Sequence, residues 1–131
     1  MSRENVECAS RMYDALNRRE EEALLREMDA EVEGVVYFMQ SEGTVYRQHS
    51  GVRRLFNELF SVFPDWHAEV AMTEHGKVLV TEVRMTGTGA SSGLPVEQTG
   101  WQVLRFRDGR IARFHGYGSQ AEALEAVRLS E

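Results

Sequence analysis

Thr99 to Gly118, TGWQVLRFRDGRIARFHGYG, reads as two alternating strands folded back on a tight turn at Asp108-Gly109. Asp-Gly tolerates the positive φ that a short hairpin turn demands, and aromatic or β-branched residues recur on both flanks. Successive side chains of a strand point to opposite sides. Gly100, Gln102, Leu104 and Phe106 therefore share one face of the first arm, against Trp101, Val103, Arg105 and Arg107. On the second arm the alternation groups Ala112, Phe114, Gly116 and Gly118, against Ile111, Arg113, His115 and Tyr117. The first face is apolar or small with one polar member, Gln102, and is the expected inside. The second is charged and aromatic and is the expected outside.

Upstream, Trp66 to Thr73 and Lys77 to Thr88 read as two more strands joined at His75-Gly76. In the longer one Leu79, Thr81, Val83 and Met85 face one way and Val80, Glu82 and Arg84 the other, which continues the charged outer face. Gly87, Gly89 and Gly93 mark a loop or bulge before the hairpin. Before these strands the period changes. Val6, Ala9, Met12, Tyr13 and Leu16 recur at steps of three and four on a helix from about Glu4 to Arg18. A short helix opened by Glu20, Glu21 and Glu22 follows, with Ala23, Leu24 and Met28 as its buried side. Val32 to Met39 reads as a strand and Gln40 to Gln48 as a loop. Val52, Leu55, Phe56, Leu59, Phe60 and Phe63 make a wide apolar helix face that Pro64 ends. The last helix starts at Ser119, with Glu122 completing a capping box, and buries Leu124, Val127 and Leu129. Helices, then antiparallel strands, then a closing helix give an α+β fold. The expected architecture is a cone-shaped, curved antiparallel sheet wrapped around the N-terminal helices, with the helices on one face.

The chain has 131 residues, 42% hydrophobic and 27% charged, which suits one domain over residues 1–131 with an ordinary core. Its net charge of −6 is spread rather than blocked, so no basic patch points to nucleic acid and no cationic helix to a membrane. Cys8 is the one cysteine, which fits a reducing compartment and a packed thiol. The first ten residues, MSRENVECAS, carry no apolar run, and eighteen apolar residues never occur together, so the expected location is cytoplasmic. The four histidines do not fall at ligand spacing with Asp, Glu or Cys, so neither a metal nor a cofactor is expected.

Order and residues together resemble the nuclear transport factor 2-like superfamily, the cone fold shared by ketosteroid isomerase and the SnoaL-like polyketide cyclases. The carriers are Tyr13-Asp14-Ala15-Leu16-Asn17, Gly51-Val52-Arg53, Phe63-Pro64-Asp65, Thr86-Gly87-Thr88-Gly89, Phe106-Arg107-Asp108-Gly109-Arg110-Ile111 and Glu122-Ala123-Leu124-Glu125-Ala126-Val127. They are packing and turn features, which speak for fold rather than reaction. The resemblance implies roles for three positions of the isomerase site. Its oxyanion-binding tyrosine matches Tyr13, its second oxyanion group falls on Gln102, and its aspartate base falls on Gly34. The carboxylate that many SnoaL-like cyclases place on the last strand falls on Gly116. The expected site is thus Tyr13 and Gln102 in an apolar pocket with Trp66, Met85, Phe114, Phe56 and Leu104, widened by Gly34, Gly116 and Gly118.

Two functions compete on this reading. One is a SnoaL-like isomerase or cyclase that polarises a carbonyl of a polyketide, terpenoid or steroid-like compound through Tyr13 and Gln102. The other is a binding or carrier protein using the same cavity, because proton abstraction needs a base within hydrogen-bond reach and the matching position is glycine. His115 is the alternative proton-transfer residue, although alternation puts it outside. A homodimer through the outer face is expected, since Trp101, Val103, Ile111 and Tyr117 would otherwise stay wet, and Glu82, Arg84, Arg105 and Arg113 beside them can pair across a two-fold axis.

Overall fold

Residue order dictates a sheet whose last hairpin sits at its centre. The computed structural model describes residues 2–37 and 44–129. They form α1 (Ser2–Asn17), α2 (Glu21–Arg26), β1 (Met28–Val35), β2 (Tyr46–Arg47), α3 (Gln48–Val62), β3 (His67–His75), β4 (Val78–Thr88), β5 (Pro95–Arg107), β6 (Arg110–Tyr117) and α4 (Gln120–Leu129). The six strands make one sheet in the order β2-β1-β6-β5-β4-β3. Every pair is antiparallel except β1 with β6, so the sheet is mixed rather than wholly antiparallel. Among the described residues no helix is long and apolar enough to cross a membrane.

The β5–β6 turn has φ of 52° at Asp108 and 77° at Gly109, and Arg107 pairs with Arg110. Positive φ at both central residues is what a two-residue turn needs to follow the strand twist. Two residues on, the register shifts. Arg105 faces Arg113 but Phe106 faces Ile111, which leaves Ala112 as the extra residue of a bulge. Beyond the bulge the alternation inverts. Ile111 is therefore fully buried in the inner core with Phe106 packed against it, contrary to the outward placement that strict alternation gave.

Three further boundaries differ from the sequence expectation. β5 starts at Pro95, because pairing with β4 continues to Thr88↔Pro95, and Gly87 lies within β4. A Cβ at Gly87 would come within 3.2 Å of Phe63 Cβ, so its glycine lets the end of α3 approach the strand. Met28 opens β1 rather than closing α2, and Leu25 takes the buried place given to Ala23. Tyr46 and Arg47 form a short strand where a loop was expected, and Gln48 already belongs to α3. Residues 38 and 39 of the expected first strand, and 40–43 of the expected loop, lie outside the described residues.

The sheet has two covered faces. On the inside, α1, α2 and α3 bury Ala9, Met12, Leu24, Val52 and Leu59 against Trp66, Leu79, Met85, Leu104 and Phe114. On the outside, α4 lays Ala123 and Val127 on Val80 and Val103, with Trp101, Tyr117 and Leu124 partly buried beside them. The helices are thus not confined to one face, and Leu129 is exposed rather than buried. The Trp101 indole N–H is buried with no hydrogen-bond partner among the described residues. Ser119 caps α4: its Oγ accepts the Glu122 N–H at 3.1 Å and donates to the Glu122 carboxylate at 3.1 Å.

Asn17 fixes the end of α1 to the edge strand β3. Its Nδ2 donates to the Ala68 carbonyl and its Oδ1 accepts the Ala68 N–H, both at 2.9 Å, so one side-chain amide stands in for a neighbouring strand. Arg19 extends the clamp. Its guanidinium donates to the Pro64 and Trp66 carbonyls at 2.9 and 2.7 Å and lies 4.6 Å over the Phe60 ring. Asn17→Ala leaves both Ala68 backbone groups without that partner, and a stranded donor or acceptor costs about 1–3 kcal/mol. Urea denaturation should show that loss as a lower midpoint with an unchanged slope.

Candidate functional site

The wide end of the inner core is not filled. A cavity of about 80 Å³ lies between α1, α3 and the sheet. That is several times the roughly 10–15 Å³ that admits a single water. Its floor is Tyr13, Met28, Trp66, Met85 and Phe114, and its partly exposed rim includes Val36, Tyr37, Phe56, Gln98 and Gly116. Leu104 does not reach the cavity; it is fully buried in the core beneath it. The other expected residues, Tyr13, Gln102, Trp66, Met85, Phe114 and Phe56, come together around it.

Tyr13 projects from α1 onto Thr81 of β4 and Gln102 of β5, which are themselves cross-strand partners. The Tyr13 Oη lies 2.7 Å from Thr81 Oγ1 and donates to Gln102 Oε1 at 2.5 Å. Thr81 is fully buried, the polar member of an inward row otherwise made of Leu79, Val83 and Met85. That break in an apolar row was the sequence signal for its role. Burial holds the Tyr13 phenol well above its ordinary range, and the Thr81 hydrogen bond only partly offsets this. Tyr13 is therefore a neutral phenol, able to donate but unable to act as a base near neutral pH.

Trp66 donates its Nε1–H to the Met85 sulfur at 3.4 Å and stacks edge-on with Phe60, at 6.1 Å between centroids. Met12, Met28 and Met85 all line the cavity, giving it polarisable walls that adapt to an occupant. Among the described lining residues, the tyrosines Tyr13 and Tyr37 are the sole ionisable groups.

The glycines expected to widen the cavity do not open space. Gly34 and Phe114 are register partners, and a Cβ on Gly34 would come within 2.0 Å of the Phe114 ring. The ring thus occupies the space where a side chain at Gly34, the position the resemblance matched to the isomerase's base, would begin. At Gly116 a Cβ would lie 2.7 Å from the Tyr37 backbone nitrogen, and at Gly118 2.7 Å from Tyr37 Cζ. These two glycines admit Tyr37 against β6 instead of widening the cavity.

His115 lies on the outer face, away from the cavity, stacked on Tyr117 at 4.6 Å. Loss of solvent on the stacked side, then the charges of Arg113 and Arg105, lower its pKa below the ordinary 6.5. His49 meets the Met28 carbonyl at 3.1 Å, and His67 is exposed on β3. Cys8 donates to the Glu27 carbonyl at 3.5 Å, and burial, with Glu27 nearby, pushes its thiol up to about 12. Among the described residues no group of three His, Cys, Asp or Glu could hold a metal ion.

The family model for the SnoaL-like domain matches residues 9–114. The chain belongs to the SnoaL-like domain family. No curated protein matches it. Solved structures show the same fold for this SnoaL-like chain. A nuclear transport factor 2-like protein of unknown function from Burkholderia pseudomallei has a TM-score of 0.79 at 19% identity, covering 93% of this chain and 95% of its own. TerC, co-crystallised with polyporic acid, also scores 0.79 at 19% identity, covering 95% and 98%. IdmH from Streptomyces antibioticus, named as a candidate polyketide cyclase, scores 0.75 at 22% identity, covering 94% and 97%. At these identities the likeness establishes the fold.

The steric reading of Gly34 is directly checkable in this SnoaL-like domain. Gly34→Ala should destabilise by about 1–3 kcal/mol through overpacking. Combined with Phe114→Leu, it should cost less than the sum of the two single changes, a non-additivity that a denaturation double-mutant cycle measures.

Proposed function

We propose that this SnoaL-like domain binds a small apolar molecule bearing a carbonyl group, of the polyketide, terpenoid or steroid-like class, and holds it without general-base chemistry. The observation that carries the reading is the cavity wall. It offers amide and phenol hydrogen-bonding groups on an apolar surface, yet no carboxylate, imidazole, amine or thiol among the described lining residues. Aromatic and methionine walls favour a flat apolar body, and a few fixed polar groups orient it. The polyporic acid crystallised with TerC, and the cyclase description of IdmH, support a ligand of this general kind. The second reading is an isomerase or cyclase, which the IdmH description favours. It requires water or the substrate itself to take the proton that no lining side chain is placed to accept.

One experiment separates the two. 1-Indanone is a flat apolar ketone whose protons next to the carbonyl exchange with D₂O when a base removes them. Calorimetry should show that it binds, and proton NMR should show exchange no faster than in buffer alone. Faster exchange by the natural protein would replace the binding reading with the enzymatic one. Gly34→Asp combined with Phe114→Ala, which removes the obstructing ring, should gain exchange by about 10²-fold, the lower range for a positioned base.

A second copy on the outer sheet face also belongs to this proposal, on the charge half of the expectation rather than the apolar half. Ile111 is internal and α4 covers Val103, so two of the four apolar groups once expected to need a partner are covered within the chain. What supports self-association is charge. Glu69, Glu82 and Arg84 alternate on the exposed part of that face, Arg84 pairing with Glu69 at 2.7 Å, and Arg113 lies on β6. Such a pattern can complement itself across a two-fold axis. Light scattering at micromolar concentration should give twice the chain mass at low salt and a shift toward the monomer at high salt. A monomer mass under both conditions would overturn it.

A further inference from the structure

The proton count in the Thr81–Tyr13–Gln102 chain decides which group is left for a ligand. Gln102 Oε1 can only accept, so the Tyr13 hydroxyl proton goes to it at 2.5 Å. The phenol has one proton. Its 2.7 Å contact with Thr81 Oγ1 must then be made by the threonine proton, donated to the tyrosine oxygen. The chain runs Thr81 to Tyr13 to Gln102, each hydroxyl polarising the next. Turning the amide round would reverse it: the Gln102 NH₂ would donate to Tyr13, Tyr13 to Thr81, and the Thr81 proton would have no acceptor among the described residues. Thr81 is fully buried, so a stranded proton there would be costly.

In the favoured order both N–H bonds of Gln102 Nε2 remain without a protein partner among the described residues, on a side chain that lines the cavity and is only partly buried. Tyr13, the residue matched to the oxyanion-binding tyrosine, has its proton committed to Gln102. We propose that the Gln102 amide NH₂ is the donor that selects the ligand's carbonyl oxygen, and that Thr81 and Tyr13 are positioning residues that fix the amide's orientation. This rests on the cavity being a ligand site, as proposed above. It specifies the ligand: a hydrogen-bond acceptor at the end that reaches β5, rather than a hydroxyl or amine donor.

The test uses the whole chain and two probes of one skeleton, 1-indanone and indane, which differ by the carbonyl. In the natural protein, ¹⁵N NMR should show the Gln102 side-chain NH₂ signals moving with 1-indanone and not with indane. By calorimetry or fluorescence titration, Gln102→Leu should lower the affinity for 1-indanone about 3- to 10-fold relative to its effect on indane, the range expected for one net hydrogen bond. Thr81→Val and Tyr13→Phe should each lower it less, because they free the amide to turn without removing the donor. A selective loss confined to Tyr13→Phe, with Gln102→Leu treating the two probes alike, would overturn the assignment and make the phenol the donor. Binding of both probes with no movement of the Gln102 signals would also overturn it, while leaving the cavity as a ligand site. Failure of both probes to bind would remove the binding reading itself, and this assignment with it. The NMR comparison needs no variant, so a substitution that fails to fold leaves the decision intact.

Discussion

A polar group buried in an apolar core must find a partner or cost several kilocalories, and here the buried Tyr13 and Thr81 find each other and the partly buried Gln102 across three elements. Tyr13 from α1, Thr81 from β4 and Gln102 from β5 form one hydrogen-bonded chain at the foot of the cavity. The chain fastens the first helix to the two longest strands and sets the depth at which α1 sits in the curve of the sheet. It also determines the chemistry left over: a neutral phenol already engaged, and an amide whose donors have no protein partner among the described residues. Fold and site therefore share the same few atoms.

Around that chain the packing fills the space beside three glycines of the sheet and its end. Phe114 lies over Gly34, and Tyr37 lies over Gly116 and Gly118, so rings and backbone fill the space beside these glycines, two of which the resemblance matches to carboxylates. Placing a carboxylate at Gly34 takes more than a change of one residue, because the Phe114 ring beside it is part of the inner core. On the proposed reading, the aromatic and methionine wall receives a flat acceptor-bearing molecule and the Gln102 amide orients it.

Much of this architecture was legible in the order of residues. The Asp108-Gly109 turn, the period of two on either side, and the apolar stripes of α1 and α3 place those two helices and the central hairpin correctly. Gln102 stood out as the polar residue on an apolar face, and Tyr13 through its run with Ala15, Leu16 and Asn17. The rest depended on three-dimensional facts with weak local signals. Strict alternation put Ile111 outside because a bulge at Ala112 is invisible until β5 and β6 are paired. The charged side of the sheet looked open because nothing in Gln120–Leu129 tells which face a helix will choose, and α4 chose the outer one. Glycines read as empty space proved to be occupied, since a missing Cβ says nothing about which neighbour moves in. Thr81 was readable as an interruption in its row, but its partner lies 68 residues away on α1.

The central claim is that the inner cavity holds an apolar acceptor through the Gln102 amide. A crystal structure of the protein purified from its own cells, with nothing added, tests it most directly. The account predicts density for a flat molecule between Trp66, Phe114 and Phe56, with an oxygen at about 3 Å from Gln102 Nε2 and Tyr13 still bonded to Gln102 Oε1. A cavity closed by its own side chains, or a ligand whose oxygen is held by Tyr13 with Gln102 turned away, would contradict it.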